Sequence, residues 1–367
     1  MRAYTLKNYE DELNHQVIHM DQAVCYCPEY LATGCMHDYP SRKMQLARAV
    51  AKGELPLSDR IGEIVFSSIL SRQGERWQNF RENPENMTDV MILSRGMLRE
   101  KGFKYAGEEE LNQTLNKYNG HVCEVTPWNL PKDSGSKQAI LIDDLAAKGF
   151  KESEKVLDNY LKQNSITFVN DAKPVFVGFE YFACGMIREG KEQIQKVIDE
   201  FENYGVDTVC VISAQAKYML TQFVKKLNIH PKFEVKYLAD CMNSILTTEP
   251  VYVYGGSFNL RYLCNAEQLN TLVPNQKEER IKNSIEFIPL LKGDHRVNEL
   301  TIWQKPLSAE YTLFGMDEDV IKKIEADAIE DIKKANPQSI ISFEPSSMQI
   351  LRKYFPNIKV AGYLDFL

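Results

Sequence analysis

The chain contains a duplicated segment, whose first copy is Gly205-Val-Asp-Thr-Val-Cys-Val-Ile-Ser213-Ala-Gln-Ala216-Lys-Tyr-Met-Leu220 and whose second copy is Asn336-Pro-Gln-Ser-Ile-Ile-Ser-Phe-Glu344-Pro-Ser-Ser347-Met-Gln-Ile-Leu351. Each copy follows a charged segment with helical periodicity. Each copy also leads to a second apolar strand, at Phe233 to Leu238 and at Ile358 to Leu364. An internal repeat of this kind predicts two similar α/β halves.

The composition is typical of a soluble globular protein. The 367 residues predict two or three domains, and a net charge of −7 with an isoelectric point near 5.6 argues against a protein that binds nucleic acid. No apolar run approaches the ~20 residues of a membrane span, the N-terminal residues do not form a signal peptide, and eight cysteines are too scattered for a disulfide scaffold. We therefore expect a cytoplasmic protein without a transmembrane segment, which is free to associate with the periphery of a membrane complex.

Residues 1–135 are predicted to form a mostly helical domain. The segment from Arg42 to Lys52 places its apolar residues on one helical stripe, and Gly53 ends it. Thr88 is a suitable N-cap for a second helix, from Asp89 to Lys101. A Pro- and Gly-containing connector from Pro127 to Gly135 then marks the best candidate for a domain boundary.

Beyond this connector the sequence alternates between strand and helix patterns, which predicts parallel sheets covered by helices and an α/β fold. The domains expected from the repeat are residues 136–245 and residues 246–367. The predicted strands are 139–142, 174–178, 208–212, 233–238, 251–254, 339–343 and 358–364, and the predicted helices are 152–163, 190–204, 215–226 and 317–334.

Several motifs resemble those of a known family. The duplicated segment and Val251-Tyr-Val-Tyr-Gly-Gly-Ser257-Phe-Asn-Leu-Arg261-Tyr262 resemble the cysteine-rich CCG domain of the heterodisulfide reductase catalytic subunit, which also occurs in iron–sulfur subunits of lactate, glycolate and glycerol-phosphate oxidation. Tyr39-Pro-Ser-Arg-Lys-Met44, with the helix that follows, resembles the accompanying ferredoxin-type subunit. The resemblance implies a degenerate ferredoxin-like domain fused to two CCG-type repeats.

In the family, the corresponding motifs carry the cysteines that bind iron–sulfur clusters, and here almost all of these positions hold other residues. The resemblance assigns the vestigial cluster-binding positions to Leu145, Cys184, Ser213, Ala216, Ser257, Trp303, Gln304, Glu344 and Ser347. Only Cys184 is a cysteine, whereas a cubane cluster normally needs four thiolates. Oxygen ligands such as Ser257 and Glu344 do not replace soft thiolates wholesale. We therefore expect no cluster in this region and no redox catalysis.

The N-terminal region contains one group of residues with metal-binding character: Cys25, Cys27, Cys35 and His37. Three closely spaced cysteines and a histidine suit a tetrahedral zinc site or a residual iron–sulfur cluster, although their spacing is not a standard one. We nevertheless expect that they are relics of a lost cubane motif, with Pro28 and Leu31 in place of its two middle cysteines, and that the chain has no cofactor; a zinc ion or one cluster at these residues is the alternative.

The expected function is that of a non-redox structural or adaptor subunit, which docks with a flavoprotein or an iron–sulfur protein of an electron-transfer complex. One alternative is a residual electron carrier of a heterodisulfide-reductase-like oxidoreductase, with a single N-terminal or inter-subunit cluster. A second alternative is an enzyme that binds a small molecule in the crevice between the two halves, where Ser213, Ser257 and Glu344 would lie at the carboxyl ends of parallel strands.

Overall fold

The computed structural model of the protein describes residues 2–16, 27–73, 87–276, 304–307 and 314–367. The chain forms two compact units, which are both discontinuous in sequence. Unit 1 comprises Met1–Asn112, Phe179–Gly190 and Ile281–Asp331, and unit 2 comprises Gln113–Gly178, Lys191–Arg280 and Ile332–Leu367. Helices and parallel sheets occur together, which confirms the predicted α/β class. The division into domains after positions 135 and 245 stays a prediction.

Helices account for most of the regular structure. In chain order they are α1 (Glu10–Gln16), α2 (Pro28–Thr33), α3 (Pro40–Ala51), α4 (Asp59–Phe66), α5 (Met87–Glu100), α6 (Ala106–Lys117), α7 (Asp144–Gly149), α8 (Glu154–Gln163), α9 (Phe179–Ala183), α10 (Ile187–Asn203), α11 (Ala214–Tyr218), α12 (Val224–Lys226), α13 (Ala266–Leu272), α14 (Glu318–Lys334) and α15 (Met348–Tyr354). Among the residues described, no helix combines the length and the apolar sequence that crossing a membrane requires. The helices predicted from the sequence are present within a few residues of their expected ends, and the one predicted over 215–226 consists of α11, a π-helical stretch and α12.

Unit 1 is held together by a buried arginine on α5. Arg95 is almost fully buried and donates hydrogen bonds to four backbone carbonyls, of Val65, Phe66, Ser68 and Ala183. These carbonyls belong to the end of α4, the loop that follows it, and α9. Because a guanidinium carries five donors in a fixed arrangement, a single side chain can satisfy several buried acceptors from different segments. Arg95 therefore fixes the ends of two helices against a third.

Unit 2 contains the two sheets. The strands are β1 (Gln138–Asp143), β2 (Pro174–Val175), β3 (Thr208–Val211), β4 (Glu234–Tyr237), β5 (Tyr252–Tyr254), β6 (Ser339–Ser342) and β7 (Lys359–Gly362). One sheet has the order β2-β1-β3-β4 and the other has the order β5-β6-β7, and all neighbouring strands in both are parallel. Every strand predicted from the sequence is therefore found.

The two copies of the duplicated segment match in the helix that precedes them, in the turn and in the strand, and they differ after the strand, where α11 follows β3 but a 3-10 turn follows β6. Helices α10 and α14 have the same length, and each stands in the same position relative to the strand that follows it, β3 or β6. Each helix is followed by a residue in the left-handed backbone conformation, Gly205 at φ 66° and Asn336 at φ 46°. Glycine and asparagine are the residues that most readily adopt this conformation at the end of a helix. The repeat seen in the sequence thus extends to the turns between the elements.

The carboxyl ends of the two sheets are joined by buried aromatic residues. The hydroxyl of Tyr363, directly after β7, donates a hydrogen bond of 2.7 Å to the carbonyl oxygen of Ile212, directly after β3. The ring of Tyr363 stacks on Phe343 and makes edge contacts with Tyr237 and Phe150. All four rings are at most 1% exposed. The two sheets therefore share one packed core at this edge.

A glycine allows the backbones of the two halves of unit 2 to meet closely. Gly149 ends α7, and a Cβ atom at this position would lie 2.0 Å from the carbonyl oxygen of Pro345. Pro345 begins a 3-10 turn, Pro345–Ser347, that follows β6. Because Pro345 presents a backbone atom rather than a flexible side chain, any larger residue at position 149 must push the two segments apart.

We predict that Gly149→Ala lowers the free energy of unfolding. In an ordinary helix this substitution stabilises by about 1 kcal/mol, but here the added methyl group should cost about 1–3 kcal/mol through overpacking. Urea unfolding of the purified variants measures the effect. Gly135→Ala is the matched control, since Gly135 is exposed and its added Cβ meets only the side chain of Asp133 at 3.4 Å. A Gly149→Ala protein at least as stable as the wild type would show that the close approach is not required.

Candidate functional site

The polar residues at the carboxyl ends of three strands in unit 2 cap the helical segments that follow. Asp143 accepts a hydrogen bond from the backbone N–H of Ala146, Ser213 accepts one from Ala216, and Glu344 accepts one from Ser346. Their donor–acceptor distances are 3.3, 3.0 and 3.4 Å. A side-chain oxygen in this position satisfies a backbone donor that the first turn of a helix leaves without a partner. A side chain that caps the following helical segment therefore lies at the carboxyl end of each of the strands β1, β3 and β6.

The other vestigial positions in unit 2 are also occupied by packing and hydrogen bonding. Ser347 is fully buried, and its hydroxyl lies 2.7 Å from both the Ser342 hydroxyl and the Glu344 carbonyl oxygen. Ser257 is fully buried and accepts a hydrogen bond from the Arg261 guanidinium. Ala216 is buried on α11, and Leu145 is half-buried on α7. Five of the predicted positions (Ser213, Ala216, Ser257, Glu344 and Ser347) are thus integral parts of the core of unit 2.

The remaining vestigial positions belong to unit 1 or lie outside the described residues. Cys184 is buried just after α9, where its thiol lies 3.7 Å from the carbonyl oxygen of Gly107. Burial raises the pKa of Cys184 to about 12, so the thiolate needed for metal binding or nucleophilic attack is disfavoured. Gln304 is buried in unit 1. Trp303 lies outside the described residues, so its predicted role stays a prediction.

Asp143 is a strongly perturbed carboxyl group in the core of unit 2. It is 1% exposed, and burial raises its pKa to about 6, although the Ser213 hydroxyl and the Ala146 N–H favour the charged form. Burial also raises the pKa values of the neighbouring Tyr237 and Tyr363. The sequence indicated a strand ending at Ile142 but gave no sign that the next residue would carry a buried, protonatable carboxyl group.

A second carboxyl group of unit 2, paired with a histidine, was missed by the sequence analysis. The Asp144 carboxylate lies 2.7 Å from His121 Nδ1 and accepts a 2.8 Å hydrogen bond from the backbone N–H of Val122. Burial raises the pKa of Asp144, against the opposing effects of Val122 and His121. The pair anchors the segment after α6 to the start of α7. Because the partners lie in separate segments and follow no motif, no sequence pattern identifies them.

The N-terminal group of predicted metal ligands is only partly assembled. Cys35, His37 and Asp38 each place one potential ligand atom within 4.8 Å of the other two. Cys27 is not in this group, because its buried thiol donates to the Glu29 carboxylate at 3.2 Å. Burial raises the pKa of Cys27 well above its usual value. Cys25 lies outside the described residues, so the four-residue site stays a prediction, whereas Asp38 is a candidate that the sequence analysis did not include.

A cavity of about 560 Å³ lies beside this group in unit 1. His37 and Asp38 line it together with residues from α4, the start of α6 and the segment before α14. Its charged lining residues are Glu29, Asp38, Asp59, Arg60, Glu63, Lys104 and Asp317. A cavity of this size falls within the range of small-molecule sites, and its excess of carboxylates favours a cation over an anion.

No protein-family model matches the sequence, and no curated protein matches it. We therefore base the proposed function on the geometry above and on the motif resemblance.

We predict that the buried Asp143 carboxyl group makes the stability of the protein depend on pH. Because the folded-state pKa is near 6 and the unfolded value is near 3.8, the stability that this group contributes is complete below about pH 4 and is lost as the pH rises through 6. Between pH 4.5 and 7.5 the loss should be about 2 kcal/mol.

Urea unfolding of wild type and Asp143→Asn at these two pH values measures this contribution. Asparagine preserves the capping role but does not titrate, so the pH dependence of the variant should be smaller by that amount. Asp207→Asn, at an exposed position of the same unit, should retain the wild-type dependence. Identical dependence in Asp143→Asn and wild type would contradict the assignment.

Proposed function

We propose that this chain is a non-redox structural or adaptor subunit, related to the iron–sulfur subunits of heterodisulfide-reductase-like complexes but without their clusters. In this proposal the N-terminal region is a degenerate ferredoxin-like domain, and the two sheets of unit 2 descend from two CCG-type repeats. The matched pairs α10 with α14 and β3 with β6 support such a duplication.

The observation that carries the proposal is that the residues at the vestigial positions have structural roles. Ser213 and Glu344 cap helical segments, while Ser257 and Ser347 are buried and hydrogen-bonded. At the same edge, the rings of Tyr237, Phe343 and Tyr363 lie in van der Waals contact, where a bound cluster would require space and thiolates. Close packing and satisfied hydrogen bonds favour a structural role for this region.

The adaptor role is supported by the duplicated α/β arrangement of unit 2, whose surface exposes two large apolar side chains. Leu246, in the segment between the two halves, is 82% exposed, and Tyr204 is the other large exposed apolar residue in unit 2 among those described. Exposed apolar residues on a folded surface are candidates for protein contacts when they are not isolated. We propose that the partner is a flavoprotein or an iron–sulfur protein of an electron-transfer complex.

The two alternative functions have weaker support. A residual electron carrier with an N-terminal cluster would need the thiolate of Cys27, which is instead a buried thiol bonded to Glu29. An enzyme using the crevice between the halves would need open space, but the described residues at that edge include the packed rings of Phe150, Phe343 and Tyr363.

We predict that the chain purified without oxygen contains far less than one iron and one acid-labile sulfide per molecule. Elemental analysis and sulfide determination measure both quantities. The physical reason is the absence of four convergent thiolates at the vestigial positions. A content of about four irons and four sulfides per chain would overturn the non-redox assignment.

We also predict that the tagged chain, expressed at its natural level, copurifies with a flavin- or cluster-containing protein. Leu246→Asp should reduce the recovery of that partner if the exposed leucine is part of the interface, while the exposed substitution Asp207→Asn should leave recovery unchanged. Mass spectrometry identifies the partner, and its absorption spectrum identifies the cofactor. Recovery of only non-redox partners would contradict the proposed complex.

A further inference from the structure

We propose that Cys35, His37 and Asp38 form a zinc site in unit 1, with a fourth coordination position that faces the neighbouring cavity. The three residues offer one sulfur, one nitrogen and one oxygen atom. Zinc is the divalent ion that most commonly accepts this mixture of ligands, in a tetrahedral arrangement. The site shares Cys35 and His37 with the predicted N-terminal group, but it includes Asp38 and does not use Cys27.

The distances between the ligand atoms are close to those of a bound ion. In a tetrahedral zinc site with bonds of about 2.0–2.3 Å, neighbouring ligand atoms are about 3.3–3.7 Å apart. His37 Nε2 lies 3.6 Å from Asp38 Oδ2, which is already within this range. All three ligand atoms lie within 4.8 Å of one another, so shifts of about 1 Å or less bring them to these distances. The Cys35 thiol contacts the Thr33 carbonyl oxygen at 3.6 Å, a weak and exposed contact that such a movement can replace.

The local backbone holds the three residues in a fixed arrangement. Cys35 is the N-cap of a 3-10 turn, Met36–Asp38, which ends before α3. Asp38 is buried, and its Oδ1 accepts a 3.2 Å hydrogen bond from the Ser67 hydroxyl, which leaves Oδ2 directed at His37. A second hydrogen bond of this kind orients a metal-binding carboxylate. The chain therefore needs little rearrangement to bind the ion.

The positive charge of Arg60 disfavours the binding of a cation at this site. The Arg60 guanidinium lies 3.1 Å from His37 Nε2, which is the nitrogen that faces Asp38. Arg60 has a side chain that is 65% exposed and already contacts Glu63 at 3.3 Å. It can therefore turn towards Glu63 when zinc binds, at the cost of one exposed contact. This arrangement makes Arg60 a competitor of the metal, and its removal should strengthen binding.

The position of the cavity explains why three protein ligands are sufficient. His37 and Asp38 line the 560 Å³ cavity, which is also bordered by Glu29, Asp59 and Glu63. Zinc sites with three protein ligands keep the fourth position for water or another small ligand. The negative lining favours retention of a divalent cation there. The site is therefore accessible to a small molecule that enters the cavity.

Titration of the metal-free full chain with Zn²⁺, and separately with Co²⁺, tests the site. We expect one ion per chain, with tetrahedral ligand-field bands and a thiolate-to-cobalt charge-transfer band in the cobalt protein. Cys35→Ser should abolish the charge-transfer band and weaken zinc binding at least about tenfold, since it removes the sulfur ligand. Asp38→Asn should also weaken binding, and Arg60→Gln should strengthen it.

The matched control is Cys241→Ser, which removes an exposed cysteine of unit 2 and should leave zinc binding and the charge-transfer band unchanged. Added imidazole should shift the cobalt bands, because the fourth position is open to a small neutral ligand and the negative lining does not repel it. Circular dichroism confirms that each variant is folded. Absence of zinc binding by the folded wild-type chain, or equal binding by Cys35→Ser and wild type, would overturn the proposal. Cobalt bands that imidazole does not change would contradict the open fourth position.

Discussion

The contact between Tyr363 and the Ile212 carbonyl is the interaction on which the architecture of unit 2 depends. It joins the residue after β7 to the residue after β3, and so connects the carboxyl edges of two separate parallel sheets. The hydroxyl satisfies a carbonyl at the end of the strand, while the ring is packed between Phe343, Tyr237 and Phe150. Ligands of α/β proteins usually bind at this edge. In this protein the same edge is filled by packed aromatic side chains and belongs to the core.

That core accounts for the chemistry of the surrounding residues. Asp143, Ser213 and Glu344 accept hydrogen bonds from the turns that follow them, which removes the need for an external ligand to satisfy the backbone. Close approach of Gly149 to Pro345 brings the backbones of the two halves together. The elevated pKa of Asp143 is a direct result of the same burial. A single packing arrangement thus determines stability and electrostatics at this edge.

Much of the fold could be predicted from the sequence, because its signals are local or periodic. The internal repeat predicted β3 and β6, and apolar runs between turn residues predicted the other strands. The interactions that define the candidate sites are not local. Arg95 binds the distant carbonyl of Ala183, and His121 pairs with Asp144, and neither contact leaves a sequence pattern. Asp38 has no sequence signal of its own, because an aspartate beside a histidine is not part of a cysteine-spacing motif.

We propose that this polypeptide does not hold an iron–sulfur cluster at the CCG-like positions. Reconstitution of the full chain with iron and sulfide under anaerobic conditions, followed by gel filtration and spectroscopy, tests this proposal most directly. We predict that iron and sulfide separate from the protein, which shows neither the broad visible absorption of thiolate-ligated clusters nor a paramagnetic signal after reduction. A stable, stoichiometric cluster that survives filtration would contradict it.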